Sequence, residues 1–230
     1  MLSKIMSIFS KKSALPVSFE YQRDYAENFK NAVRLTSLLG FNYKWREFNA
    51  DRVFDYDKSL DKVNFLSGVN SYHHSAGQCL KWCHFLQSYF EQAFECKVWV
   101  TVGQLWKGDR AVYYPSCCDI NRWVNEGIQK EDFENRSGFN LHAWLTMENG
   151  EIVDVSYLST LASVFPDEYG QLLGGVAYGR PDDLIPDYRY VPMIIGKPIM
   201  EKIERLSFIP LLASNEAELH ITPVVMVRNQ

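Results

Sequence analysis

The sequence predicts an α+β domain in which a cysteine-bearing helix packs on an antiparallel sheet. Three observations carry this reading. Apolar residues recur at helical spacing from Cys79 through Cys83, Leu86 and Phe90. A β-branched and aromatic run, Val98 to Val102, follows. Two alternating segments, Phe139–Met147 and Glu151–Tyr157, are then joined by Glu148-Asn149-Gly150 as a hairpin. The length, 230 residues, suits one large core without a metal or disulfide staple. At 47% hydrophobic and 14% aromatic the chain is too apolar to remain disordered.

Taken in order, residues 1–19 mix Lys, Ser and Pro16 and read as a loosely held arm, leaving 20–230 as a single domain. Tyr21, Tyr25, Phe29, Ala32, Leu35 and Leu39 define a helix closed by Gly40. Phe41–Tyr72 supports one short helix around Ser59–Phe65. Ser75 followed three residues later by Gln78 is a capping-box pattern, predicting a helix from Ser75 to about Glu95. A strand over Lys97–Leu105 ends at Gly108-Asp109. Residues 107–138, with Pro115, Cys117, Cys118 and a helix allowed over Asp119–Phe133, read as an insertion. Tyr188–Ile195 and Glu218–Val227 read as strands whose Pro192 and Pro223 belong at edges or bulges. Leu172–Gly179 lacks the order and the Lys-Ser/Thr ending of a phosphate cradle and reads as a mobile loop able to cover a site.

Charge narrows the function. Twenty-four Lys and Arg against 28 Asp and Glu leave −4, so no broad positive field favours nucleic acid. No apolar run reaches the roughly 20 residues of a membrane helix, and no signal-peptide pattern precedes the domain. Five scattered cysteines suit a reducing compartment. A cytoplasmic protein without membrane contact is expected, and an effector secreted without a cleavable signal would read the same way.

The hairpin can close in two registers. A two-residue Asn149-Gly150 turn would place Asp154 on the face of Leu141, Ala143, Leu145 and Met147. A three-residue loop with Gly150 in the left-handed position pairs Met147 with Glu151 and Trp144 with Asp154. In that register Val153, Val155 and Tyr157 join the leucine face, while His142, Trp144, Thr146, Ile152, Asp154 and Ser156 share the other. An unpaired carboxylate among leucines would cost several kcal/mol, so the three-residue loop is expected. It makes His142 and Asp154 diagonal neighbours, and a carboxylate there holds an imidazole in one tautomer.

A base oriented by an acid calls for a nucleophile. Cys79 lies in the first turn of the long helix, where the partial positive charge of the helix terminus and a neighbouring imidazolium both favour an anionic sulfur. If the Cys79, Cys83, Leu86, Phe90 face packs on the His142 and Asp154 face of the sheet, the three groups converge. A zinc site from His73, His74, Cys83, His84, Cys117 and Cys118 is disfavoured, because no Cys-x-x-Cys knuckle appears and Cys83 and His84 point in different directions on a helix.

Gly77-Gln78-Cys79 opening a helix, His142-Ala143-Trp144-Leu145 on a strand and Asp154 on the next resembles the transglutaminase-like branch of the papain-like cysteine superfamily, over roughly residues 75–160. The resemblance implies a papain-like core and a Cys79, His142, Asp154 triad acting through a thioester, with no cofactor and no metal. Val155-Ser156 stands where small residues or proline often follow the family's Asp, and no carboxylate cluster suggests the calcium sites of animal transglutaminases. The Cys79 N–H would be one oxyanion donor and Gln78 or Tyr72 a second, with His74 and Trp144 bordering a groove. The implied chemistry is amide hydrolysis, deamidation or acyl transfer on a protein, a peptide or a small amide or amine. Its rival is a noncatalytic protein-binding module on the same fold.

Overall fold

The structure is a computed structural model and describes residues 24–133 and 139–221. The predicted arm, the first residues of the predicted first helix, and positions 222–227 of the last predicted strand lie outside them. Helix α1 (Tyr25–Leu38) is opened by Asp24, whose side chain accepts the Ala26 N–H. Helix α2 runs Tyr56–Ser67, longer at both ends than the sequence suggested, because Asp55 caps it and Gly68 closes it in the left-handed conformation.

Helix α3 spans Cys79–Phe94, and here the expected capping box does not form. Ser75 ends a short 3-10 turn beginning at His73 and donates its hydroxyl to the Tyr72 carbonyl. Gly77 has φ of +67°, which breaks any helical continuity between Ser75 and Cys79. The helix therefore starts with the cysteine itself.

The sheet is antiparallel throughout, with six strands: β1 (Val98–Lys107), β2 (Arg110–Tyr113), β3 (His142–Met147), β4 (Ile152–Asp154), β5 (Ala177–Gly179) and β6 (Tyr188–Ile195). β3 pairs with Val98–Gly103 of β1 and β2 with Leu105–Lys107, while β6 overlaps both stretches. A strand has two edges, so β2 and β3 lie end to end on one edge of β1 and β6 occupies the other. Pro192 sits at the bulge where the β1–β6 register shifts. Gly103 permits this close pairing, since a Cβ there would lie 2.0 Å from the Val191 carbonyl oxygen.

The hairpin takes the three-residue register. Leu145 pairs with Val153 and Thr146 with Ile152, Met147 N–H donates to the Glu151 carbonyl, and Gly150 has φ of +88°. β4 is shorter than expected because Asp154 gathers the N–H groups of Ser156 and Tyr157 and turns the chain into α5 (Tyr157–Val164). Tyr157 thus leaves the leucine face and packs in the opposite layer.

Residues 107–138 supply β2 and helix α4 (Cys117–Glu126), which carries the capping box Ser116–Asp119 and ends at Gly127, well short of Phe133. The glycine-rich stretch is not a free loop: after α6 (Pro166–Tyr169) its end forms β5 beside β4. Helix α7 (Lys197–Leu206) follows β6. Glu216–Leu219 is the short helix α8 where a strand was expected, with Asn215 accepting the Glu218 N–H as its cap.

Both faces of the sheet are covered. Trp82, Cys83, Leu86 and Phe90 of α3 share one core with Val98, Val100, Ala143, Leu145, Met147 and Val153. Tyr25, Phe29 and Ala32 of α1 share the other with Trp144, Ile152, Tyr157 and Tyr190. Helix α3 therefore packs on the leucine face and not, as expected, on the face of His142 and Asp154. Burying those apolar side chains against its own apolar stripe is the larger gain, at about 25 cal/mol per Å². Among the described residues no helix is long and apolar enough to cross a membrane.

Candidate active site

Cys79 is the first residue of α3 and is partly exposed. Its helix start is braced by Gln78 N–H on the Ser75 carbonyl and Trp82 N–H on the Gln78 carbonyl. Gly77 N–H donates to Thr160 Oγ1 at 3.1 Å and Ser159 Oγ to the Tyr72 carbonyl at 3.1 Å, tying this loop to α5. The sulfur lies 4.0 Å from the Leu141 carbonyl oxygen, and the thiol is among the neighbours that raise the His142 imidazole. Although α3 covers the leucine face, its first residue reaches the start of β3, at the break between β3 and β2 along β1, where the imidazole lies.

His142 Nε2 is 2.6 Å from Asp154 Oδ2, which leaves Nδ1 for the thiol. Both side chains are buried, at 2% and 0% exposure. Asp154 Oδ1 accepts the N–H of Ser156 and of Tyr157, each at 3.0 Å, and lies 3.3 Å from Ser156 Oγ; Oδ2 also accepts the Tyr190 hydroxyl at 2.9 Å. Burial alone would push this carboxyl up, but the imidazolium and these donors hold it below the usual carboxylate range. Burial likewise pulls His142 down, and the facing Asp154 charge and hydrogen bond outweigh it, leaving the imidazole well above its ordinary value. The acid and base therefore favour a carboxylate–imidazolium pair.

Aromatic rings enclose the imidazole. Tyr113 stacks on it at 5.4 Å and 11°, Tyr157 meets it edge-on at 5.5 Å, and Trp144 and Tyr190 lie at 5.9 and 6.0 Å. Tyr113 reaches this place because β2 continues the line of β3 along β1. Sequence reasoning passed over Tyr113, which fell in the supposed insertion, and over Tyr190, whose alternation with Tyr188 on a predicted strand was the available signal.

The other sequence candidates fare differently. Trp144 is fully buried and donates Nε1 to the Tyr25 hydroxyl at 2.7 Å, so it supports the base from beneath and borders no groove. The Tyr72 hydroxyl donates to Asn64 Oδ1 at 2.7 Å, which commits its proton to α2 and not to an oxyanion. Gln78 Nε2 donates to the His74 carbonyl at 2.8 Å. His74 is exposed and meets the His220 ring edge-on at 5.1 Å. Of the residues weighed for zinc, Cys83 is buried, with burial pushing its thiol well up, Cys118 is exposed, and His84 faces Glu201 at 3.6 Å.

Two cavities, of about 830 and 330 Å³, lie elsewhere: one between α1, residues 45–56 and the β3–β4 turn, the other around Val69, His74 and His220. Neither is lined by Cys79, His142 or Asp154. The site thus sets a thiol at a helix start near an imidazole that a buried carboxylate holds. The chain matches no family model, no curated protein and no solved structure.

Proposed function

We propose that the protein carries out cysteine-dependent acyl chemistry on a papain-like, transglutaminase-like core, with Cys79 as nucleophile, His142 as base and then acid, and Asp154 as the orienting carboxylate. The observation that carries the reading is the 2.6 Å contact of His142 Nε2 with Asp154, with Cys79 set at the start of α3 against the start of β3, its sulfur 4.0 Å from the Leu141 carbonyl oxygen. His142 already holds the proton as imidazolium beside Asp154, and the anionic form of the Cys79 sulfur attacks an amide carbonyl, forming the C–S bond as the carbonyl π electrons pass to oxygen. The oxyanion is received by the Cys79 backbone N–H, one of the donors a helix start leaves without an intrahelical partner. Imidazolium returns its proton to the leaving nitrogen as the C–N bond breaks. Water or an acceptor amine, deprotonated by His142, then attacks the thioester and releases the sulfur.

The substrate class is an amide of a protein or peptide, or a small amide or amine, with no cofactor needed for these steps and no role for nucleic acid or a membrane. Hydrolysis is favoured slightly over transfer because no sequence motif points to the exclusion of water, and a cytoplasmic location suits the free cysteines. One observation favours the rival, a binding module: Tyr113 lies flat on His142, and the imidazole is almost wholly covered.

Iodoacetamide near pH 6 separates the two. Selective, stoichiometric alkylation of Cys79 is expected of the enzyme, and uniformly slow alkylation of all five thiols would overturn it. A covalent acyl adduct trapped in a His142→Ala variant would identify the substrate.

A further inference from the structure

We propose that Tyr190 is a positioning residue of the triad, whose hydroxyl shares Asp154 Oδ2 with the imidazole and thereby sets how tightly the acid holds the base. The proposal rests on the triad reading and extends it to a residue on another strand.

The donors to Asp154 fall into two groups. Ser156 and Tyr157 come from the turn that follows the carboxylate and serve Oδ1. His142 and Tyr190 come from β3 and β6 and converge on Oδ2, at 2.6 and 2.9 Å. The local turn fixes where the carboxyl plane lies, and the two distant donors compete for the lone pairs of one oxygen. A hydrogen bond from a neutral phenol draws charge away from that oxygen, which weakens its pull on the Nε2 proton. Tyr190 is a donor suited to this role, because it is 3% exposed and burial together with the adjacent carboxylate keeps its hydroxyl protonated well above the ordinary tyrosine range.

The remaining titratable groups act at other points. Cys79 bears on the ring from α3, and Cys83 behind it bears on the carboxylate through space. Tyr113 of β2 and Tyr157 of α5 pack on the imidazole as rings, and burial raises both hydroxyls, keeping them neutral. Tyr188 faces Tyr157, and the Tyr25 hydroxyl of α1 bonds Thr146 and Trp144. Like His142, Tyr190 hydrogen-bonds Asp154 from a separate strand.

The test follows the protonation midpoint of His142 by NMR on histidine-labelled full-length protein, with His142→Ala assigning the signal. Tyr190→Phe is expected to move the midpoint upward by roughly half a pH unit or more, since the acid then holds the base alone. Placing 3-fluorotyrosine at position 190, a more acidic and stronger donor, is expected to move it downward. Tyr25→Phe, a buried hydroxyl in the same layer, should lower Tm without moving it. An unmoved midpoint, or shifts of the same sign in both position-190 variants, would overturn the proposal; if Tyr190→Phe does not fold, the sign of the fluorotyrosine shift decides. Iodoacetamide labelling of the wild type reads the triad reading separately. Selective labelling with an unmoved midpoint sinks Tyr190 alone, and opposite shifts without selective labelling sink the acyl chemistry alone.

Discussion

Asp154 accepts the backbone N–H of Tyr157 at 3.0 Å, so the acid that faces His142 is also the anion at the start of α5. The same helix holds the loop before Cys79 through Thr160 and Ser159. One carboxylate thus links the conformation of a helix terminus, the charge of His142 and the loop that leads into Cys79.

Removing that carboxylate should unsettle the fold as well as the proposed chemistry. Asp154→Ala leaves the imidazole, the Tyr190 hydroxyl and two backbone N–H groups without their acceptor inside the core. A loss of about 3 to 5 kcal/mol in urea unfolding is expected. Asp154→Asn, which keeps the Oδ1 contacts to α5, should retain more of the stability while still abolishing selective Cys79 alkylation.

The pair also fixes how stability depends on pH. Asp154 is depressed in the folded state, so its contribution is present above the ordinary carboxyl value of about 3.9 and is lost as pH falls below it. His142 is raised, so its contribution is complete below its unfolded value of about 6.5 and declines as pH climbs above that toward the raised folded value. Urea unfolding at a series of pH values should give a falling limb on each side, and His142→Ala should flatten the alkaline one.

Tyr113 lies flat on the His142 ring, so in the proposed site it would limit access to the thiol. Tyr113→Ala should speed alkylation of Cys79 by a bulky maleimide several-fold relative to iodoacetamide. It should also lose roughly 0.5 to 1.5 kcal/mol from the ring pair beyond the buried area. Tyr113→Phe keeps the stack and should match the wild type in both measurements. Equal rates for Ala and Phe would show that the ring does not guard the thiol.

The parts of this site that were legible in the sequence are those set by short-range chemistry. Gly150 at a positive φ and the alternation from Leu141 to Met147 determine the hairpin register, and that register places His142 and Asp154 together. The start of α3 was misread because Ser75-Ala76-Gly77-Gln78 satisfies a capping pattern while Gly77 turns the chain out of the helix. The covering face was misread because α3 follows the leucines, and only its first residue lies at the break between β3 and β2, where it approaches His142. β2 was invisible for another reason: Arg110–Tyr113 is four residues long and mostly exposed, with no periodicity to mark it. The partnership of Tyr190 with Asp154 depends on β6 taking the far edge of β1, a long-range pairing that local pattern does not encode.

That pairing can be strained at one position. Gly103 is opposite His142 in the β1–β3 ladder and opposite Pro192 in the β1–β6 ladder. A Cβ at this position would meet the Val191 carbonyl oxygen at 2.0 Å and the Trp144 ring at 2.9 Å. The first neighbour is backbone and the second is a fully buried ring, so neither yields without moving a strand. Gly103→Ala should therefore cost at least about 2 kcal/mol in urea unfolding. The strand that must give way is β6, since Val191 is the residue clashed with and Tyr190 precedes it. The variant should accordingly loosen the Tyr190 contact to Asp154 and shift the His142 midpoint in the same direction as Tyr190→Phe. A large loss of stability with the midpoint unchanged would mean that the strain is relieved at Trp144 and that β6 stays in place.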